Sequence, residues 1–129
     1  MGLPAAKQDD QVKATDTHIV KLPNGTLTPL LHPFTGVING GLSRDVKIMG
    51  KPAATVGSTA KNTPSHQPSP PGTAFESPPS NKGTITTGSA TVKINGKAAA
   101  RNGDTATTCN DPNDLPVGKV VATGTVYIG

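Results

Sequence analysis

The sequence predicts an all-β fold of three β-hairpin units without appreciable helix, and three observations carry that prediction. One short element occurs three times, as Pro4-Ala5-Ala6-Lys7-Gln8-Asp9-Asp10, Pro52-Ala53-Ala54-Thr55-Val56-Gly57-Ser58 and Ala98-Ala99-Ala100-Arg101-Asn102-Gly103-Asp104. Recurrence of one element implies recurrence of one structural unit. Apolar residues of period two precede the second and third copies, as Val46-Lys47-Ile48 and Val92-Lys93-Ile94, and close the chain as Val126-Tyr127-Ile128. That alternation is the mark of a half-buried strand. No window carries the 3.6-residue period of an amphipathic helix, and the alanine clusters are too short to nucleate one alone.

In chain order, Thr17-His18-Ile19-Val20-Lys21-Leu22 alternates as a short strand, and Pro23-Asn24-Gly25 supplies a turn because glycine tolerates positive φ. His32 then opens His32-Pro33-Phe34-Thr35-Gly36. Residues 36–48 align with residues 83–94, each reading as strand, glycine turn, strand, and residues 118–129 read as a shortened third version. Met49-Gly50-Lys51 and Asn95-Gly96-Lys97 are tight turns that feed the repeats. Residues 63–83 hold six prolines and read as an ordered loop pinned by a metal; residues 110–116 form a similar loop after Cys109.

The composition fits one domain, spanning 1–129, with little material for a core: 25 of 129 residues are Leu, Ile, Val or Phe. The β-branched content, the modest net charge of +4 and the repeats argue for a folded chain. So sparse a core calls for a staple, and a single cysteine makes no internal disulfide, which leaves a metal. There is no apolar h-region near the N-terminus and no apolar run near 18 residues. Synthesis in the cytoplasm without a signal peptide is expected, with delivery outside the cell by other means. Lys and Arg are scattered singly and aromatic residues make up 2% of the chain, which argues against nucleic acid as a partner.

The whole supply of histidine and cysteine is His18, His32, His66 and Cys109. Singly, each reads as an ordinary surface, packed, linker or buried residue. Together they follow the repeats: His18 lies eight residues after Asp10, His66 eight after Ser58, and Cys109 five after Asp104. Three imidazoles and one thiolate suit tetrahedral zinc, and a full shell of four makes the site structural, though iron is also open. Catalysis is not expected: Glu76 is the only glutamate, and Cys109 lacks the flanking signature of a nucleophile. Lys7 stands three residues before Asp10 and Arg101 three before Asp104, while Thr55 and Ser58 replace both charges together, as an ion pair within the repeat would allow.

The repeats at Pro4, Pro52 and Ala98, with Gly103-Asp104 and the run from Gly88 to Lys97, resemble those of PAAR-repeat proteins along essentially the whole chain. The resemblance implies a small cone of pseudo-threefold β-hairpin units with zinc near the apex, held here by His18, His32, His66 and Cys109. It also implies a role: capping the homotrimeric β-helical spike of a contractile injection system, type VI secretion or phage-tail-like, as a monomer. On that reading the protein sharpens the spike for membrane piercing at the particle tip. An effector docked through residues 63–83 is the alternative, and a small zinc hydrolase a remote one. With the first repeat starting at Pro4 and the last hairpin ending at Gly129, a single domain over 1–129 without a toxin extension is expected. Only the third copy keeps the arginine of the motif; Lys7 and Thr55 stand in the other two.

Overall fold

The computed structural model describes residues 2–129, and among them there is no helix. The strands are β1 (Leu3–Pro4), β2 (Gln11–Lys21), β3 (Leu27–Gly40), β4 (Lys47–Ile48), β5 (Lys51–Pro52), β6 (Thr59–Asn62), β7 (Ala74–Phe75), β8 (Lys82–Ile85), β9 (Lys93–Ile94), β10 (Lys97–Ala98), β11 (Thr105–Thr108), β12 (Leu115–Val121) and β13 (Tyr127–Ile128). Six of them pair in the order β12-β11-β8-β6-β3-β2, and β2 pairs again with β12, which closes the sheet into a small barrel. Closure removes the open edges that a six-stranded sheet would otherwise expose. β7 adds to the far end of β2.

Below the barrel sit three two-stranded sheets, β4–β5, β9–β10 and β13–β1. The first two turn through residues with positive φ, Met49 (52°) and Gly50 (82°), and Asn95 (51°) and Gly96 (80°), as tight hairpins require. The third is assembled from the two ends of the chain, Leu3 opposite Ile128 and Pro4 opposite Tyr127. The fold is therefore the expected all-β cone of three near-equivalent units. Residues 36–48 and 83–94 do not fold back on themselves, however. Their first halves belong to the barrel and their second halves to the small sheets. Serine makes the break: Ser43 Oγ accepts from the amides of Asp45 and Val46, and Ser89 Oγ from those of Thr91 and Val92, which bends the chain out of the barrel wall.

The three repeats meet on the central axis. Ala6 N donates to Ala100 O (2.9 Å), Ala100 N to Ala54 O (3.1 Å) and Ala54 N to Ala6 O (3.0 Å), a closed ring of backbone hydrogen bonds. A second ring runs from Gln8 N to Pro52 O, Val56 N to Ala98 O and Asn102 N to Pro4 O. Three backbones this close leave room for a methyl group and little else, which explains the alanines: all six are at most 2% exposed. Ala5, Ala53 and Ala99 pack with Ile48, Ile94 and Ile128 in the lower core. Ala6, Ala54 and Ala100 face the barrel core of Val12, Phe34, Ile38, Ala60, Ile85, Ala106 and Val120.

The last residue of each repeat caps the amide three before it. Asp10 Oδ2 accepts from Lys7 N (3.0 Å), Ser58 Oγ from Thr55 N (2.9 Å) and Asp104 Oδ2 from Arg101 N (2.6 Å). The carboxylates add ion pairs, Lys7 Nζ to Asp10 at 3.1 Å and Arg101 to Asp104 at 2.9 Å, and both acids are buried or nearly so. The Asp104 hydrogen bonds raise the Arg101 pKa above its ordinary value. Asp104→Ala is expected to cost about 2–3 kcal/mol in urea denaturation, since it orphans a backbone amide and half an ion pair. Asp104→Ser, which copies the middle repeat, is expected to keep more than half of that.

Candidate metal centre

The end of the barrel away from the small sheets is polar inside. β2 alternates so that Val12, Asp16, His18 and Val20 all point inward. Asp16 pairs in register with His32 of β3, also turned inward. His66 comes from the loop after β6, and Cys109 directly follows β11. All five side chains are buried, Asp16 completely.

Asp16, His18, His66 and Cys109 place one donor atom each within 4.8 Å of all the others. His66 Nε2 stands 2.8 Å from Asp16 Oδ2, Cys109 Sγ 3.5 Å from the same oxygen, and Cys109 Sγ 3.6 Å from His18 Nε2. Thr108 Oγ1 donates to Asp16 Oδ1 at 2.6 Å, and Asn110 Nδ2 to the same oxygen at 3.4 Å. His18 Nδ1 has no hydrogen-bond partner, and the nearest carboxylate oxygen, on Asp111, is 3.5 Å away.

Of the residues expected as ligands, the structure brings His18, His66 and Cys109 together. His32 stands alongside, its ring centroid 5.5 Å from that of His18 and 5.6 Å from that of His66. Its Nδ1 donates to Leu30 O (2.9 Å) and its Nε2 accepts from Ser69 N (3.0 Å). Asp16 is the member that sequence reasoning missed. Its signal was the two-residue spacing to His18 on one strand.

The loop over residues 63–83 is ordered, and side-chain bonds hold it. Asn81 Oδ1 accepts from His66 N (2.8 Å) and Asn62 Nδ2 (3.2 Å), and Ser69 Oγ donates to Leu31 O. Phe75 of β7 covers the His18 and His32 rings, with centroids 5.7 and 5.3 Å away. A cavity of about 330 Å³, lined by His32, His66, Pro33 and Pro64 among others, opens beside the cluster.

Burial, and next the charge of Asp16, push the Cys109 thiol up to about 11. Burial lowers the His32 pKa, against the opposing effect of its bond to the Leu30 carbonyl. Among the described residues no lysine or arginine pairs with Asp16. A thiol, a carboxylate and two imidazoles thus converge in a buried site without a lysine or arginine, a donor set that fits a divalent metal ion. A bound cation would reverse the pressure on the thiol and favour the thiolate. Such an ion would supply no more than ligation here; the protein's own residues fix the donors, exclude water and bind Asp16 from two further sides.

Residues 76–129, which span β8 to β13, the third repeat and Cys109, match the family model of the PAAR motif. Among curated proteins no sequence matches the chain. The third repeat, the cone of three equivalent units and the buried metal-ligating cluster agree with that match, which supports a PAAR-repeat protein of the kind associated with the spike tips of contractile injection systems.

Proposed function

We propose that one copy of this protein caps the homotrimeric β-helical spike of such a system. Residues 1–129 act as a single domain, with the three-sector base seated on the spike and the histidine-rich end leading into the target membrane. The observation that carries this reading is the closed ring of hydrogen bonds at Ala6, Ala54 and Ala100, which makes three backbone-equivalent sectors from one chain. A trimeric β-helix ends in strand edges that stay unpaired until something continues them. Three sectors meet three chains without three copies.

The base has the chemistry of a protein interface. Val46, Val92 and Val126 occupy equivalent places in the three sectors and are 36, 36 and 40% exposed. Lys47, Lys51, Lys93 and Lys97 rim two sectors, while Tyr127 and Leu3 take the same places in the third. Exposed apolar residues repeated once in each sector make a surface that a partner covers. At the other end, one structural zinc ion drawn to His18, His66 and Cys109 beside His32 would tie β2, β11 and the 63–83 loop together, a task the small core does poorly alone. Exposed Pro64, Pro70, Pro71 and Pro78 lie outside this base and leave a surface free for an effector.

Native mass spectrometry of the protein mixed with the trimeric spike of the same system tests the proposal. One copy per trimer is expected, with at least about tenfold weaker binding for the Val46→Asp/Val92→Asp double variant, because the apolar centre of an interface carries most of its energy. Three copies per trimer, or no complex from folded wild type, would overturn it.

A further inference from the structure

We propose that Asp16 is the fourth ligand of the metal centre, and that His32 is a packing residue outside its coordination shell. The inference rests on the reading of this cluster as a metal site and deepens it. Three independent observations support it.

The first is reach. Asp16 offers a carboxylate oxygen within 4.8 Å of the donor atoms of His18, His66 and Cys109, and His32 is not part of that set. The second is saturation. Leu30 O only accepts, so His32 Nδ1 carries the proton that bonds it, and the Nε2 lone pair is the one that receives the Ser69 amide. Coordination by His32 would strip Ser69 N of its partner and leave a part-buried amide unsatisfied. The third is charge. Asp16 is wholly buried, its Oδ1 takes bonds from Thr108 Oγ1 and Asn110 Nδ2, and among the described residues no lysine or arginine pairs with it, His66 Nε2 at 2.8 Å being its ion-pair neighbour. A buried carboxylate needs a counter-charge. A divalent cation facing one carboxylate and one thiolate gives a neutral centre in which the buried Asp16 touches its counter-charge directly.

The arrangement also assigns Oδ2 as the coordinating oxygen. Thr108 and Asn110 hold Oδ1, while Oδ2 faces His66 Nε2 and Cys109 Sγ. Binding at Oδ2 displaces the proton between Asp16 and His66 and leaves the Thr108 hydrogen bond intact. Thr108 thereby becomes the residue that orients the ligand, in the way buried hydrogen bonds fix metal-bound carboxylates elsewhere.

The test uses the full chain loaded with Co²⁺, whose visible absorption reports coordination, and Zn²⁺ affinity measured by competition with a chelator. Asp16→Asn keeps the size and the Thr108 contact but removes the charge. It is expected to lose at least about 100-fold of Zn²⁺ affinity and to change the cobalt d–d bands, because a ligand is replaced rather than a neighbour of one. His32→Gln is expected to stay within about tenfold of wild type with the wild-type cobalt spectrum. The reverse ranking of the two variants would overturn the proposal. Should a variant fail to fold, X-ray absorption at the zinc edge of the wild-type protein decides: two imidazoles, one sulfur and one carboxylate oxygen support Asp16, and three imidazoles with one sulfur exclude it. Wild type that binds neither metal would sink the metal centre itself, a result distinct from either ranking.

Discussion

Stripping the purified protein with a strong zinc chelator is expected to lower its melting temperature by at least about 15 °C. The argument is one of mass action, since an ion that binds only the folded state stabilises it in proportion to the logarithm of its affinity, and micromolar or tighter binding contributes several kcal/mol. For a domain of this length each kcal/mol moves the midpoint by roughly 3–5 °C. The effect concentrates in the upper barrel, where β2, β11 and the 63–83 loop converge on the cluster. Hydrogen exchange should therefore accelerate first at His66, Ser69 and the amides around Cys109, while the alanine ring at Ala6, Ala54 and Ala100 stays protected. Differential scanning calorimetry with and without chelator reads the shift. A change below about 3 °C in protein that had carried a metal would mean that the ion is not a staple.

Phe34→Ala is expected to cost about 3–5 kcal/mol, the range for removing a buried aromatic side chain from a core that relaxes poorly. Relaxation is poor here because glycine and alanine, which have no side chain to move, line one side of the ring. A Cβ on Gly36 would meet the Phe34 ring at 2.6 Å, and Ala60 and Gly83 line the same space. Phe34 also lies edge-on to His66, with ring centroids 6.0 Å apart, so its loss should weaken metal affinity as well as stability. Chemical denaturation gives the first quantity and chelator competition the second. Phe34→Leu should recover most of both.

The repeats made the base legible from the sequence, because alanine and Val-x-Ile recur at fixed spacing and each plays one role in each sector. Register also led to His18, His66 and Cys109. The length of β3 was hidden by Pro29 and Pro33, which ordinarily exclude a central strand. β3 pairs with β6 only from Gly36 onward, so these prolines sit where that edge has no partner strand. Asp16 escaped notice because aspartate normally marks turns, and its inward direction follows only once β2 is known to start at Gln11 rather than near Thr17. The expected hairpins at 36–48 and 83–94 failed for a local reason: the alternation on either side of Ser43 and Ser89 is right, but a serine-capped bend sends the second half into another sheet.

The third small sheet is closed by β1 and β13, whereas each of the other two is a local hairpin. The hairpins β4–β5 and β9–β10 close through contacts a few residues apart, but the base stays a two-thirds ring until Tyr127 and Ile128 reach Leu3 and Pro4. Loss of either strand therefore opens one sector and leaves the other two small sheets closed, so the threefold symmetry of the base depends on a single long-range pairing.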